Sequence, residues 1–361
     1  MIECLFAALT IFTVARPAQA RQSAPPAGPA QDPAWTIEVH GGVMATGSLS
    51  SGTATVPPPG ANILTSSPTT PSRQVSSWFF GDGTTLLNGA SAALGATHQV
   101  TPLDAAFAAL GAGTGGGGGV RLTRRVTSRV DLEFGLDVMA GSSRAPGRLR
   151  SAGNAARTSF ESTFTDLLAS GPFDGVTVDT TSAAAGGAGR DLLATGALRW
   201  RLGTIAGWRG YATFGGGVVT RAGSLASVAL QGHYQFSVLS QVPIDETDSA
   251  ALRYRGATAP VGVVGAGLSR SIAHDWLLDV DARVVIGGSD ATLLLDASPS
   301  RVTGAPAGFV ESFTSPAIQF SNNPSTGRQS TLSGPAISGF SAFTGGTAIR
   351  TLVTVGIARR F

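Results

Sequence analysis

Trp276-Leu277-Leu278-Asp279-Val280-Asp281-Ala282-Arg283-Val284-Val285-Ile286 is the stretch whose reading decides the fold. Trp276, Leu278, Val280, Ala282, Val284 and Ile286 share one side of an extended chain, and Asp279, Asp281 and Arg283 share the other. Successive side chains of a strand point to opposite faces, so one face can meet lipid while the other meets a polar interior. A short turn near 272–275 joins this strand to the one before it, giving a hairpin over about 258–288.

The same alternation recurs along the chain. Near the start, Trp35, Ile37, Val39 and Val43 oppose Thr36, Glu38 and His40. A hairpin over about 117–141 turns at 126–128, and its returning arm sets Val130, Leu132, Phe134, Leu136, Val138 and Ala140 against Asp131, Glu133 and Asp137. Another, over about 191–221, turns within 203–207 and sets Leu192, Ala194, Leu198, Trp200 and Leu202 against Leu193, Thr195, Arg199 and Arg201. A last strand, about 346–361, aligns Ile349, Val353, Val355, Ile357 and Phe361. Eight strands result, and the expected fold is all-β: a transmembrane up-and-down antiparallel barrel. Short turns alternate with long connections at 47–113, 142–190, 222–257 and 289–345. That segregation of loop length is the habit of outer-membrane barrels, whose short turns lie in the periplasm, and such loops count against a compact soluble domain. In this topology Trp35, Trp200, Trp208, Trp276 and Phe361 fall on one periplasmic rim, where amphipathic rings favour the headgroup level; Trp78 falls in a loop.

Composition agrees. Charged residues make up 13% of the 361, about half the usual share of soluble domains. Mean hydropathy is +0.19, yet past the N-terminus no apolar run is long enough for a membrane helix. All 25 basic residues are arginine. The formal pI is 9.7, but no basic block or aromatic-interleaved basic stripe supports nucleic-acid binding. The one cysteine, Cys4, precedes an apolar stretch at 5–14, Pro17 and the small-x-small site Ala18-Gln19-Ala20, so residues 1–20 read as a secretory signal peptide. Residues 21–33 form a Pro-rich linker and 34–361 the barrel. Cleavage leaves no cysteine, and hence no disulfide or thiolate site.

These strands resemble the small outer-membrane barrels of the OmpA, OmpX and OmpW type. The C-terminus is similar to their assembly signal, with Thr354, Gly356 and a terminal Phe361, although Arg359 stands where a hydrophobic residue is usual. The resemblance covers about a third of the chain and implies outer-membrane lipid and the barrel-assembly machinery as partners. It leaves any external ligand unspecified.

The polar faces carry Glu38, Arg121, Asp131, Glu133, Asp137, Arg199, Arg201, Asp279, Asp281, Arg283 and Arg350. Eight strands enclose an interior that side chains just fill, and arginine's planar fork bonds carboxylates bidentately. A plugged lumen is expected; the other reading of these residues is an ion pathway. A narrow conduit for apolar molecules needs a side opening or an apolar upper lumen, near Leu193 and Leu277. Gly115–Gly119 lacks the Gly-Lys-Ser/Thr of a phosphate loop and reads as a flexible junction. His98 with Asp104, or His233 with Asp245, offers an acid–base pair only if the loops bring them together. No spacing calls for a metal or cofactor. Phe160, Phe164, Leu167 and Leu168 recur at helical spacing, which predicts a loop helix packed over the barrel mouth or, in the sharper reading, a lipid-interface lid. Segments 225–238 and 251–256 read as strand extensions in a raised external hairpin, or as two further barrel strands. The expectation is a non-enzymatic envelope or surface-binding protein, with a channel and an outer-membrane enzyme as competing readings.

Overall fold

The computed structural model describes residues 35–47, 53–63, 72–107, 113–140, 145–238, 242–288, 291–300, 302–313, 317–323 and 328–361. The signal peptide and linker expected at 1–33 lie outside them. In chain order the elements are β1 (Trp35–Thr46), β2 (Thr53–Ala54), α1 (Gly81–Ala93), α2 (Asp104–Phe107), β3 (Gly113–Arg125), β4 (Val130–Ala140) and α3 (Ala145–Ala169). There follow β5 (Phe173–Ile205), β6 (Trp208–Val238), β7 (Val242–Gly256), β8 (Thr258–Ser271), β9 (Trp276–Gly288) and β10 (Ala291–Ser298). The chain ends with β11 (Val310–Phe313), β12 (Ile318–Asn323), β13 (Arg328–Gln329), β14 (Ile337–Thr344) and β15 (Thr347–Arg360).

Eight of these strands close a barrel. β1, β3, β4, β5, β6, β8, β9 and β15 each pair antiparallel with the next, and β15 returns to β1. Closure leaves the barrel itself without a sheet edge. Reciprocal bonds between Trp35 and Phe361 pin the two chain ends together at the seam, at 3.2 and 3.1 Å. At the same end lie the short turns. The one between β5 and β6 places Ala206 and Gly207 at φ 51° and 81°, the left-handed pair that a two-residue hairpin with native twist requires.

The alternation expected from the sequence sorts the barrel's faces. Val39, Val43, Phe134, Leu136, Phe214, Val264, Val353, Val355 and Ile357 are exposed on the outside, so the barrel wears an apolar belt. The lumen is crowded, and glycines make that possible. A Cβ on Gly267 would sit 2.3 Å from the Tyr211 ring, and one on Gly356 would sit 2.7 Å from Glu38 Oε1. Gly115–Gly119 belongs to β3 rather than to a flexible junction. It alternates Gly117 and Gly119 inward, where a Cβ would collide with Met139 and Asp137.

The loops expected at 142–190 and 222–257 are mostly regular structure. β5 and β6 run on past the barrel as one ladder. β7, β10, β14 and β2 then add to the free side of β6 in that order. The extension at 225–238 and 251–256 is therefore a raised sheet, and the barrel keeps eight strands. Where ladder leaves barrel, Gly186, Gly189 and Gly223 adopt φ of 84°, 72° and 96°, with register shifts beside them on β5. Side-chain parity reverses there, as irregular residues in a period-2 strand can make it do: Val219 and Arg221 face the lumen side below, while Ala226, Val228 and Leu230 are buried above.

α1, α2 and α3 join that upper sheet in a second core, here called the head. Leu149, Ala156, Phe160, Phe164, Leu167 and Leu168 of α3 are buried in it, the stripe that helical spacing predicts. Rings stack through it: Phe79 on Phe160 at 4.8 Å, Phe160 on Phe164 at 4.5 Å and Phe164 on Tyr234 at 4.4 Å. Each such pair adds about 0.5–1.5 kcal/mol beyond area burial. Trp78 falls in the loop before α1, as expected, and is wholly buried in this core.

Candidate functional site

The inward faces of the eight barrel strands build the lumen in tiers. At the turn end Arg201 bonds Asp131 bidentately at 2.9 and 2.8 Å, and Arg201 is the one member of the expected set that stays partly exposed. Above it lies a central web. Arg283 donates to Asp281 at 2.6 and 3.2 Å and to Glu133 at 2.6 Å. Arg121 donates to Glu38 at 3.1 Å and to the Thr354 hydroxyl at 3.2 Å, and lies 3.6 Å from Asp281. Arg199 donates to Asp279 at 3.2 Å, and its guanidinium carbon sits 3.3 Å from the Tyr211 ring centroid. The Tyr211 hydroxyl donates to Asp281 at 3.1 Å. Asp137 lies 2.5 Å from His40 Nε2.

Next comes an apolar layer of Met44, Met139, Leu193, Val219, Ala259, Val261, Val263, Val285 and Leu352. Leu193 belongs to this layer; Leu277 does not, pairing with Ala358 near the turn end. Beyond the layer Arg221 bonds Asp191 bidentately at 2.9 and 3.2 Å, with Arg350 at 3.5 Å from the same carboxylate. Arg350 thus stands apart from the central web, with the apolar layer between. Sequence reading missed His40, Tyr211, Thr354, Asp191 and Arg221 as network members. Their strand parity was the available signal, but Asp191 and Arg221 sat at the assumed ends of their strands, and neutral Tyr211 and Thr354 carry no charge pattern.

Trp35, Trp200, Trp208, Trp276 and Phe361 all lie at the turn end of the barrel. Trp200 and Trp276 are 46% and 44% exposed, so the rings lie on the outer surface rather than in the lumen.

The histidines of the head find other acids than one of those expected. His98 Nδ1 meets Asp166 at 2.6 Å, and its hydrogen bond holds that carboxyl below the usual range. Asp104 instead accepts the Gly81 amide with both oxygens, at 3.2 and 3.1 Å, where α1 begins. His233 does meet Asp245, at 2.8 Å, across β6 and β7. The Thr97 hydroxyl stands beside the first pair, 3.3 Å from His98 Nδ1 and donating to Asp166 at 3.2 Å.

A polar centre that sequence reading did not find lies inside the head. Glu246 and Asp248 occupy successive inward positions of β7 and are 1% and 0% exposed. The Tyr234 hydroxyl donates to Glu246, and it accepts from Trp78 Nε1 at 3.1 Å. Ser330 Oγ donates to Glu246 at 2.9 Å. Asp248 Oδ2 accepts from Ser77 Oγ at 2.9 Å and from the Trp78 amide at 2.7 Å, while Oδ1 has no partner among the described residues. Among the described residues no basic side chain pairs with either carboxyl. Burial therefore pushes Glu246 up to about 8 and Asp248 up to about 7, and holds the Tyr234 phenol well above its ordinary value. Among the described residues no group of three or more acidic, histidine or cysteine side chains is arranged to hold a metal ion.

The outward face of the same sheet carries a groove of about 390 Å³. Thr181, Gln231, Ser249 and Ser298 form one row across four strands, and Ala183, Ala229, Ala251 and Asp296 form the next.

Barrels of this general class are what the chain can be set beside, and only loosely. No family model matches it, and neither does any curated protein. Among solved structures, the outer membrane protease OmpT from Escherichia coli is 6% identical, over 91% of this chain and 97% of its own, with a TM-score of 0.24. The deltaS2 mutant of TodX, a monoaromatic hydrocarbon channel, is 10% identical, over 92% and 91%, with a TM-score of 0.16. Neither likeness is near enough to carry an argument about what this chain does.

Proposed function

We propose that this chain is a bacterial outer-membrane β-barrel with a solid lumen, and that it works as a non-enzymatic surface protein through its head. The observation that carries the reading is the filled interior. An apolar layer in which every side chain is at most 6% exposed lies between two tiers of ion pairs. A hydrated ion path needs a continuous polar lining, and a conduit for apolar molecules needs space around Leu193. The apolar belt and the rim of tryptophans support a membrane location, with the turns in the periplasm and the head outside. The groove on the head, floored by small side chains and edged by Gln231 and Asp296, supports an external ligand bound by hydrogen bonds. Barrel-assembly machinery is the partner implied for biogenesis.

Planar-bilayer recording and liposome swelling test the plug. Purified, refolded protein is expected to leave bilayer current at baseline and to admit neither small sugars nor small aromatic solutes. Stable, reproducible current steps or solute entry would replace this reading with a channel.

A further inference from the structure

Every charged side chain of the central lumen web is paired, but exposed arginines at the turn end form no ion pair with a carboxylate among the described residues, and three of them, Arg124, Arg270 and Arg359, share a further feature. All three are exposed. Each lies directly across a strand pair from a tryptophan: Arg124 opposite Trp35, Arg270 opposite Trp208, Arg359 opposite Trp276. In each pair the guanidinium carbon stands over the indole, 5.2, 5.7 and 5.7 Å from its centroid. These distances lie within cation–π range. Trp200, the fourth rim tryptophan, faces Val130 instead.

Stacking occupies one face of a guanidinium and leaves its N–H edge free, and that planar fork matches a phosphate bidentately. The indole beneath it favours the headgroup depth, so the fork is held where phosphates are densest. Arg129 and Arg209 are exposed at the same end. The acidic side chains there are Asp275 and Asp131, and Asp131 is already bound to Arg201. We propose that the three Trp–Arg pairs are clamps for the headgroup phosphates of anionic phospholipid in the leaflet at the turn end. The inference rests on the membrane-spanning reading above. It also gives Arg359, out of place in an assembly signal, a task at the rim.

The test is refolding into phosphatidylcholine vesicles containing a minor fraction of phosphatidylglycerol. Insertion is read by gel mobility with and without boiling, and headgroup preference by spin-labelled lipids of the two kinds. The wild type is expected to select phosphatidylglycerol. The R124Q/R270Q/R359Q variant is expected to insert equally and lose that preference, the affinity of each clamp falling about fivefold, since a basic residue near an anionic leaflet contributes about 1 kcal/mol. The corresponding triple lysine variant, with charge but no fork, is expected to fall between them. A wild type without preference overturns the clamps, as does either triple variant that keeps the preference in full. Inorganic phosphate abolishing the preference at constant ionic strength would assign the sites to free phosphate instead. A chain that fails to insert at all overturns the membrane reading, and the clamps with it.

Discussion

At the scale of the residue, Arg283 shows how the lumen is held. It donates to both oxygens of Asp281 and to Glu133, all three side chains being buried. Arg283→Ala takes from both carboxylates their hydrogen-bonded cation, leaving only Arg121 at 3.6 Å from Asp281 and Arg199 at 3.9 Å from Glu133, and the expected loss is about 3–5 kcal/mol of unfolding free energy. Removing charge from all three together, R283M/E133Q/D281N, is expected to cost less than R283A alone. Urea unfolding of the refolded protein in vesicles checks the order, and the reverse order would mean the web is not paired as described. Most of this web was legible in the sequence, because a charge at every second position on an otherwise apolar strand has one place to go. Tyr211 was not legible. It enters the web only because Gly267 across the strand pair vacates the space its ring fills, a fact about two strands that neither discloses alone.

At the scale of the element, β7 carries the clearest pH dependence. Burial raises Glu246 to about 8 and Asp248 to about 7, above the values of an unfolded chain. Between the two states' values the native head keeps protons that the unfolded chain has released. The contribution of this pair is therefore complete below about pH 4 and falls as pH rises towards 7–8, by a few kcal/mol as an order of magnitude. The groups facing the pair are Tyr234 from β6 and Ser77, the Trp78 amide and Ser330 from the flanking segments, none of them a cation that would offset the loss. Denaturant unfolding of the head, followed by limited proteolysis at pH 5 and pH 9, is expected to show a weaker head at pH 9. E246Q/D248N is expected to flatten the difference, and an unchanged slope in that variant would falsify the assignment. β7 was also where sequence reading had least purchase. In Asp245-Glu246-Thr247-Asp248-Ser249 both faces are polar, so period-2 alternation is invisible and the segment reads as a solvated loop. α3 was legible by contrast, since Phe160, Phe164, Leu167 and Leu168 differ sharply from their neighbours.

At the scale of the whole molecule, a closed eight-stranded barrel with an apolar belt is joined to a head with its own aromatic core. The barrel was predictable because an apolar outer face and ion pairs inside impose one pattern on every strand. The head was legible only in part: the raised extension at 225–238 and 251–256 and the stripe of α3 could be read, but the run of β5 through 173–189 could not, because it is rich in Gly, Ala, Ser and Thr and changes parity at glycines. Protein fractionated from cells is expected with the outer membrane, and its gel mobility in SDS is expected to shift on boiling as the ladder of closing hydrogen bonds is lost. A soluble periplasmic fraction with unchanged mobility would sink the architecture's placement in a membrane.

The ladder between β5 and β6 passes from barrel to head as a single run of paired residues, from Ile205 and Trp208 up to Phe173 and Val238. A tug on the head along this axis therefore runs down both strands together and passes in shear to their barrel neighbours β4 and β8, spread across many backbone bonds at once rather than peeling them one after another. The ladder is a tension member: load applied to the head is delivered to the barrel wall, and the wall, being closed, has nowhere to begin to tear.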